Sequence, residues 1–63
     1  MSRIVVLGGG ESGVGSAVLA KSKGYDVFLS DMGKISDEYA EVLQEWNIPF
    51  EQGKHTEDLI LNA

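Results

Sequence analysis

The stretch IVVLGGGESGVG, residues 4–15, constrains the fold more than any other part of the chain. Four apolar residues are followed by five of the chain's eight glycines within eight positions. A continuous apolar, β-branched run that ends at glycines is typical of a buried central strand in a parallel sheet. Glycine loses more conformational freedom on folding than other residues, so this cluster indicates a tight turn or a close backbone approach.

The glycines at positions 8, 10 and 13 have the spacing G-x-G-x-x-G between a predicted strand and a helix that we expect to begin at Ser12 or Gly13. In this pattern the first glycine makes the turn, the second admits a phosphate and the third lets the helix pack closely. The N–H groups of the first helical turn and the helix dipole then bind the phosphate. The pattern predicts a nucleotide or nucleoside-diphosphate site; the alternative is that the glycines only shape the turn.

The remaining sequence predicts further strands and helices in alternation. The first helix continues to about Lys23, a second strand covers 25–30 and ends at Asp31, and Ser36 caps a helix whose apolar stripe ends at Trp46. A short third strand covers 48–51, where Pro49 favours an edge or irregular strand. Thr56 would cap a last helix that contains Leu59, Ile60 and Leu61.

The order β-α-β-α-β-α predicts an α/β fold with a parallel, Rossmann-like sheet, the first half of a doubly wound domain. A helix after the third strand normally leads to a further strand in such a fold. We therefore expect the 63 residues to be the truncated leading piece of a larger protein.

Composition excludes several classes of function. A net charge of −5 opposes nucleic-acid binding, since that affinity depends on basic side chains. The chain has no cysteine and one histidine, which excludes a disulfide framework and a zinc site built from this chain alone. With no apolar run long enough for a signal peptide or a membrane span, we expect a soluble, cytoplasmic protein.

Three side chains near the glycines are candidate ligand contacts. Asp31 ends the second strand 18 residues after Gly13, close to the spacing at which an acid meets a ribose hydroxyl. A carboxylate about 4 Å from a phosphate would cost on the order of 4 kcal/mol, so Glu11 must point away from a diphosphate, either towards a polar base or sugar or into solvent. Ser12 is either a phosphate or uracil contact or the helix N-cap.

The stretch GGGESGVGSAVLAKSKGYDVFLSDMGKI resembles the amino-terminal domain of the UDP-N-acetylmuramoyl-L-alanine:D-glutamate ligase (MurD) family, and the likeness extends through EWNIPFEQGKHTEDLILNA. The glycine loop and the Ser-Asp pair that ends the second strand are its specific part. The resemblance implies a Rossmann-like domain that holds the UDP portion of a muramoyl substrate. The implied contacts to the diphosphate and uridine are Gly10, Glu11, Ser12, Gly13, Asp31 and Met32.

This sequence departs from the family after the aspartate, where a polar and then a basic residue are frequent. Met32 and Gly33 stand there instead, so no polar or cationic side-chain contact carries over. The resemblance further implies a three-domain cytoplasmic ligase of peptidoglycan precursor synthesis. Its central domain binds ATP and Mg²⁺, and the substrate carboxylate is phosphorylated before the amine of D-glutamate displaces phosphate. We expect no catalysis from these 63 residues alone.

Two other interpretations stay open. The chain is alternatively an NAD(P)-binding half-domain of a dehydrogenase or of a regulatory module, in which Asp31 binds the adenine ribose. It is otherwise a structural fragment that binds no ligand well. His55 either faces the ligand crevice or is a solvated or capping residue of the turn after the third strand.

Overall fold

The computed structural model describes residues 3–56 and Ile60. It contains a three-stranded parallel sheet with strand order β1-β2-β3. The elements follow one another as β1 (Arg3–Leu7), α1 (Glu11–Ser22), β2 (Asp26–Asp31), α2 (Asp37–Glu45) and β3 (Phe50–Gln52). The predicted α/β class and parallel Rossmann-like arrangement are confirmed. The helix predicted to contain Leu59, Ile60 and Leu61 lies, apart from Ile60, outside the described residues.

The hydrophobic core lies between the two helices and one face of the sheet. Val27 and Leu29 of β2 pack there with Val14 and Ala17 of α1 and Leu43 of α2. Because successive side chains of a strand point to opposite faces, Ser30 belongs to the other face and Asp31 to the helix-covered face. These two neighbours therefore meet different surroundings at the same end of β2.

Both helices end in a left-handed residue that reverses the chain. Gly24 (φ 90°) follows α1, and the Tyr25 N–H donates to Ala20 O over 3.2 Å. Asn47 (φ 56°) follows α2, and the Ile48 N–H donates to Leu43 O over 2.9 Å. These are Schellman motifs, in which the last helical carbonyls are satisfied by the reversing chain. Each motif directs the chain into the next strand.

Several predicted details are corrected by the structure. The helix α1 begins at Glu11 with Gly10 as its N-cap, so Ser12 is not the cap. The third strand starts two residues later than expected, at Phe50, because Pro49 has no N–H to donate. Within residues 3–56, β1 pairs with β2 alone and is half-buried, and Leu7 is 63% exposed. Trp46 is 41% exposed because α2 has already ended there.

The cap predicted for α2 is present. The Tyr39 N–H donates to the Ser36 hydroxyl over 3.3 Å, and Asp37 and Glu38 occupy the first turn. Side chains of this kind satisfy N–H groups that have no partner within the helix. Neither helix in the described part of the chain has the length and apolarity needed to cross a membrane.

Candidate functional site

The candidate site lies at the carboxyl ends of the parallel strands, where the glycine loop joins β1 to α1. Gly8 has φ 109°, a left-handed conformation that side chains rarely adopt, and its N–H donates to Ser30 O over 2.7 Å. Gly9 is buried, and a Cβ there would lie 2.7 Å from Ile35 Cγ1. The loop therefore turns sharply and is packed against the segment that follows β2.

Gly13 lets α1 start directly against this turn. A Cβ at position 13 would overlap Gly8 O and lie 2.9 Å from Gly8 C. The contact is between backbone atoms, so no side-chain rearrangement can relieve it. The structure thus gives the third glycine of the pattern the close-packing role that the sequence predicts for it.

The amino end of α1 opens onto solvent at Gly10. A Cβ at position 10 would meet no atom within 4 Å, and Gly10 is exposed. No side chain caps the helix at this N-cap, and the first intrahelical bond runs from the Val14 N–H to Gly10 O over 2.9 Å. The first-turn amides of Glu11, Ser12 and Gly13 precede that bond. This arrangement suits an anion, because unpaired N–H groups and the positive end of the helix dipole coincide.

Asp31 connects the end of β2 to the glycine loop. Its Oδ2 accepts the Gly9 N–H over 2.6 Å, and its Oδ1 accepts the Gly33 N–H over 2.8 Å. These bonds, the one from Gly9 first, hold the pKa of Asp31 below its ordinary value, and the charge of nearby His55 acts in the same direction. The carboxylate is therefore directed at the loop, where it fixes the backbone.

The other predicted contacts lie around the same edge. Glu11 is the first helical residue and, like Ser12, is exposed, which suits a carboxylate near the positive end of the helix dipole. Met32 is 62% exposed and follows Asp31 directly. The structure thus brings the six predicted residues to one edge. Their contacts with a ligand stay predictions.

A second polar cluster, on the opposite face of the sheet, was not predicted. Ser30 has no exposed surface, and its hydroxyl lies 2.8 Å from Glu51 Oε2 and 2.5 Å from His55 Nδ1. Glu51 also accepts the Thr56 N–H over 2.7 Å and the Thr56 hydroxyl over 2.6 Å. Hydrogen bonds from the Thr56 backbone and hydroxyl keep the pKa of Glu51 below its usual range.

The register of β2 and β3 creates this cluster, since Ser30 and Glu51 are direct partners across the two strands. A polar residue at the end of an apolar strand was the only signal in the sequence. The cluster resembles a nucleophilic triad in composition but not in geometry. The serine hydroxyl is buried and contacts both the histidine and the carboxylate, whereas in a triad the nucleophile is exposed and the carboxylate contacts the histidine instead.

The described residues provide groups that can bind a ligand but few that could catalyse a reaction. Among them, no three acidic or histidine side chains are grouped to hold a metal ion. The edge is also an open surface, since no cavity forms within residues 3–56. What the arrangement offers is a row of backbone amides beside a fixed carboxylate.

Comparison with known proteins gives a consistent result. The family model described as MurD N-terminal domain matches residues 3–62. The chain is 62% identical over 61 residues to the UDP-N-acetylmuramoylalanine–D-glutamate ligase of Christiangramia forsetii, covering 97% of this chain and 14% of that protein. It is 59% identical over 63 residues to the ligase of that name from Bacteroides thetaiotaomicron, covering 100% and 14%.

A third relative of the same name, from Porphyromonas gingivalis, is 60% identical over 60 residues, which are 95% of this chain and 13% of the relative. The chain therefore spans about 14% of the length of the curated relatives it matches. No solved structure matched the chain.

Proposed function

The chain belongs to the MurD N-terminal domain family, and on that premise we propose that it binds the UDP end of UDP-N-acetylmuramoyl-L-alanine. The parent protein would be an ATP-dependent ligase that joins D-glutamate to this substrate during peptidoglycan precursor synthesis in the cytoplasm. ATP and Mg²⁺ would be bound by further domains of the same polypeptide. Residues 1–63 would form the leading part of its UDP-binding domain.

The observation that carries the proposal is the open amino end of α1. Gly10 presents bare backbone to solvent, with space where a Cβ would stand. The uncapped amides that follow it are donors for an anion. A diphosphate would supply the negative charge and the acceptor oxygens that these N–H groups lack.

Asp31 and Met32 support a position for the nucleoside. Asp31 stands one strand away from the glycine loop at the same edge. Each of its oxygens accepts one backbone N–H and retains a lone pair for a ribose hydroxyl. Met32 offers an exposed apolar side chain directly beyond it. A nucleotide with its phosphates at the amino end of α1 and its nucleoside over the end of β2 would match both the helix amides and the Asp31–Met32 pair.

Titration followed by ¹H–¹⁵N spectra tests the proposal. UDP is expected to shift the amide resonances of Gly10, Glu11, Ser12, Gly13 and Asp31 in a saturable manner. Tighter saturable binding of NAD would contradict the proposal and favour the dehydrogenase alternative. The reading frame beyond Ala63 gives an independent check, because the ligase family continues with a Ser-Pro-Gly turn and then a GxxxxGK[ST] loop.

A matched pair of variants separates phosphate binding from folding. Gly10→Ala places a methyl group where the phosphate would approach, and it is expected to weaken UDP binding at least about tenfold, the scale of one lost charged hydrogen bond. Gly15→Ala, in the same helix, also adds a Cβ that meets nothing within 4 Å, and it should leave UDP binding unchanged. Equal UDP affinity in both variants would contradict the proposed phosphate position.

A further inference from the structure

Glu11 places a carboxylate at the end of α1 where the diphosphate is proposed to bind. It is the first residue of the helix and is exposed. Because the Cα–Cβ bonds of a helix tilt towards its amino end, this side chain leans towards the opening at Gly10. Within residues 3–56 the ion pair that forms joins Arg3 to Asp26, so no basic side chain neutralises Glu11. Its charge therefore acts on an anion that binds at this opening.

The edge as a whole combines backbone donors with acidic side chains. Of the six predicted contacts, Glu11 and Asp31 carry carboxylates and none carries a basic group. The attraction for an anion therefore comes from first-turn N–H groups and a helix dipole equivalent to roughly half a positive charge. The two carboxylates oppose this attraction, and the net charge of −5 acts in the same direction. Each further negative charge on a ligand thus adds more repulsion than attraction.

Uridine phosphates differ in the charge that they would bring to this opening. A terminal phosphate carries close to two negative charges above neutral pH, because its second pKa is about 6. UDP therefore carries about three negative charges and UTP about four, whereas a UDP with an esterified terminal phosphate carries about two. A group attached to the diphosphate thus removes one charge from the ligand, in addition to any contacts that it makes.

We propose that Glu11 is a specificity-determining residue that selects uridine diphosphates with an esterified terminal phosphate over free UDP and UTP. This inference rests on the nucleotide-binding function proposed above and adds the charge of the ligand to it. A fixed carboxylate discriminates against the more highly charged ligand through like-charge repulsion, which is a form of specificity that needs no additional contact. Free nucleotides would then compete poorly with an esterified substrate for the same site.

Titration calorimetry with three ligands tests the order of affinities. The ligands are UTP, UDP and UDP methylated on its terminal phosphate, which lacks one charge but carries no sugar. At about pH 8 and about 0.02 M ionic strength, without divalent cations, the ester is expected to bind about threefold or more tightly than UDP. UDP should exceed UTP by a similar factor. Raising the ionic strength to about 0.5 M should reduce both preferences, because salt screens exposed charges.

A matched pair of variants assigns the preference to one carboxylate. Glu11→Gln keeps the size of the side chain and removes its charge, so it should bind UTP at least about threefold more tightly and improve binding of the ester less. Glu45→Gln changes the net charge equally. Glu45 is the exposed last residue of α2, and because α2 joins two parallel strands it lies at the opposite edge of the sheet. This control should leave the ratios of the three affinities unchanged.

The outcomes separate this inference from the proposed function. Failure of all three ligands to bind would refute the two together. Equal affinities for the three, with shifts at the glycine loop, would leave nucleotide binding intact and refute selection by charge. Weaker binding of every ligand to Glu11→Gln would reveal a favourable contact from Glu11 and overturn the inference. An equal loss of preference in Glu45→Gln would also overturn it, since net charge and not Glu11 would then be responsible.

Discussion

Replacing Gly13 with alanine tests the close contact between α1 and the turn after β1. The new Cβ would overlap the Gly8 carbonyl oxygen, so the helix must move away from the strand. Overpacking of this kind typically costs about 1–3 kcal/mol, and a contact between two backbones lies near the upper limit. Alanine is a better helix former than glycine by about 1 kcal/mol, and this gain offsets part of the overpacking cost. The expected net loss is about 2 kcal/mol.

That loss is large for a chain of this size. At roughly 0.05–0.15 kcal/mol per residue, a chain of 63 residues has a free energy of unfolding of about 3–9 kcal/mol. One kcal/mol corresponds to about 4–8 °C in Tm for small domains, so Gly13→Ala should lower Tm by about 8–16 °C. Circular dichroism recorded during thermal unfolding measures the Tm, and during urea unfolding it measures the free energy of unfolding.

Gly15→Ala is the matched control for this experiment. Gly15 lies two residues after Gly13 in the same helix, and a Cβ added there would meet no atom within 4 Å. It gains the helix propensity without the clash, so it should raise stability by about 0.5–1 kcal/mol. The two substitutions are chemically identical and are expected to have opposite signs. If Gly13→Ala were as stable as Gly15→Ala, the close-packing argument would be refuted.

The remaining predictions concern acid stability and the end of α2. Asp31 and Glu51 have lower pKa values in the folded protein than in the unfolded chain, so their ionised carboxylates stabilise the fold. This stabilisation is complete above the unfolded pKa values, about 3.9 for Asp and 4.3 for Glu. It is lost as the pH falls through the lower pKa values of the folded protein. Unfolding measured from about pH 6 to pH 2 should therefore show a shallower acid dependence in Asp31→Asn and in Glu51→Gln, and an unchanged slope would contradict the assignment. Asn47 is left-handed, so Asn47→Ala should lower the free energy of unfolding by about 1 kcal/mol while Asn47→Gly stays near neutral; equal losses in urea unfolding would count against this account.

Local signals in the sequence were sufficient for the parts of the site that depend on neighbouring residues. The glycine spacing predicted the turn at Gly8 and the close approach at Gly13, because both follow from the missing side chain. Ser36 likewise predicted the start of α2, because a capping side chain acts over only three residues. Trp46 shows the limit of such signals. Its position continues the apolar stripe of α2, yet Trp46 is the C-cap of that helix and the chain turns at Asn47 directly after it.

The cluster around Glu51 could not be read in this way, because it depends on strand register. Ser30 and Glu51 are 21 residues apart in sequence and meet only because β2 and β3 pair in one particular register. A shift of one residue would move Glu51 to the helix-covered face of the sheet. Gly9 was missed for a related reason. It occupies a variable position of the glycine pattern, and its importance comes from Asp31, which lies on another strand.

The bond between Asp31 and Gly9 makes loop geometry and ligand affinity depend on one carboxylate. If Asp31 only contacted a ribose, Asp31→Asn would weaken binding and leave stability unchanged. Because the carboxylate also accepts N–H groups from Gly9 and Gly33, the variant should lose stability and UDP affinity together. Gly10→Ala adds a methyl group in open space and should lose affinity, with a stability loss limited to the roughly 0.5–1 kcal/mol by which alanine is a poorer N-cap than glycine. The contrast between these two variants therefore separates a group that shapes the loop from one that only admits the phosphate.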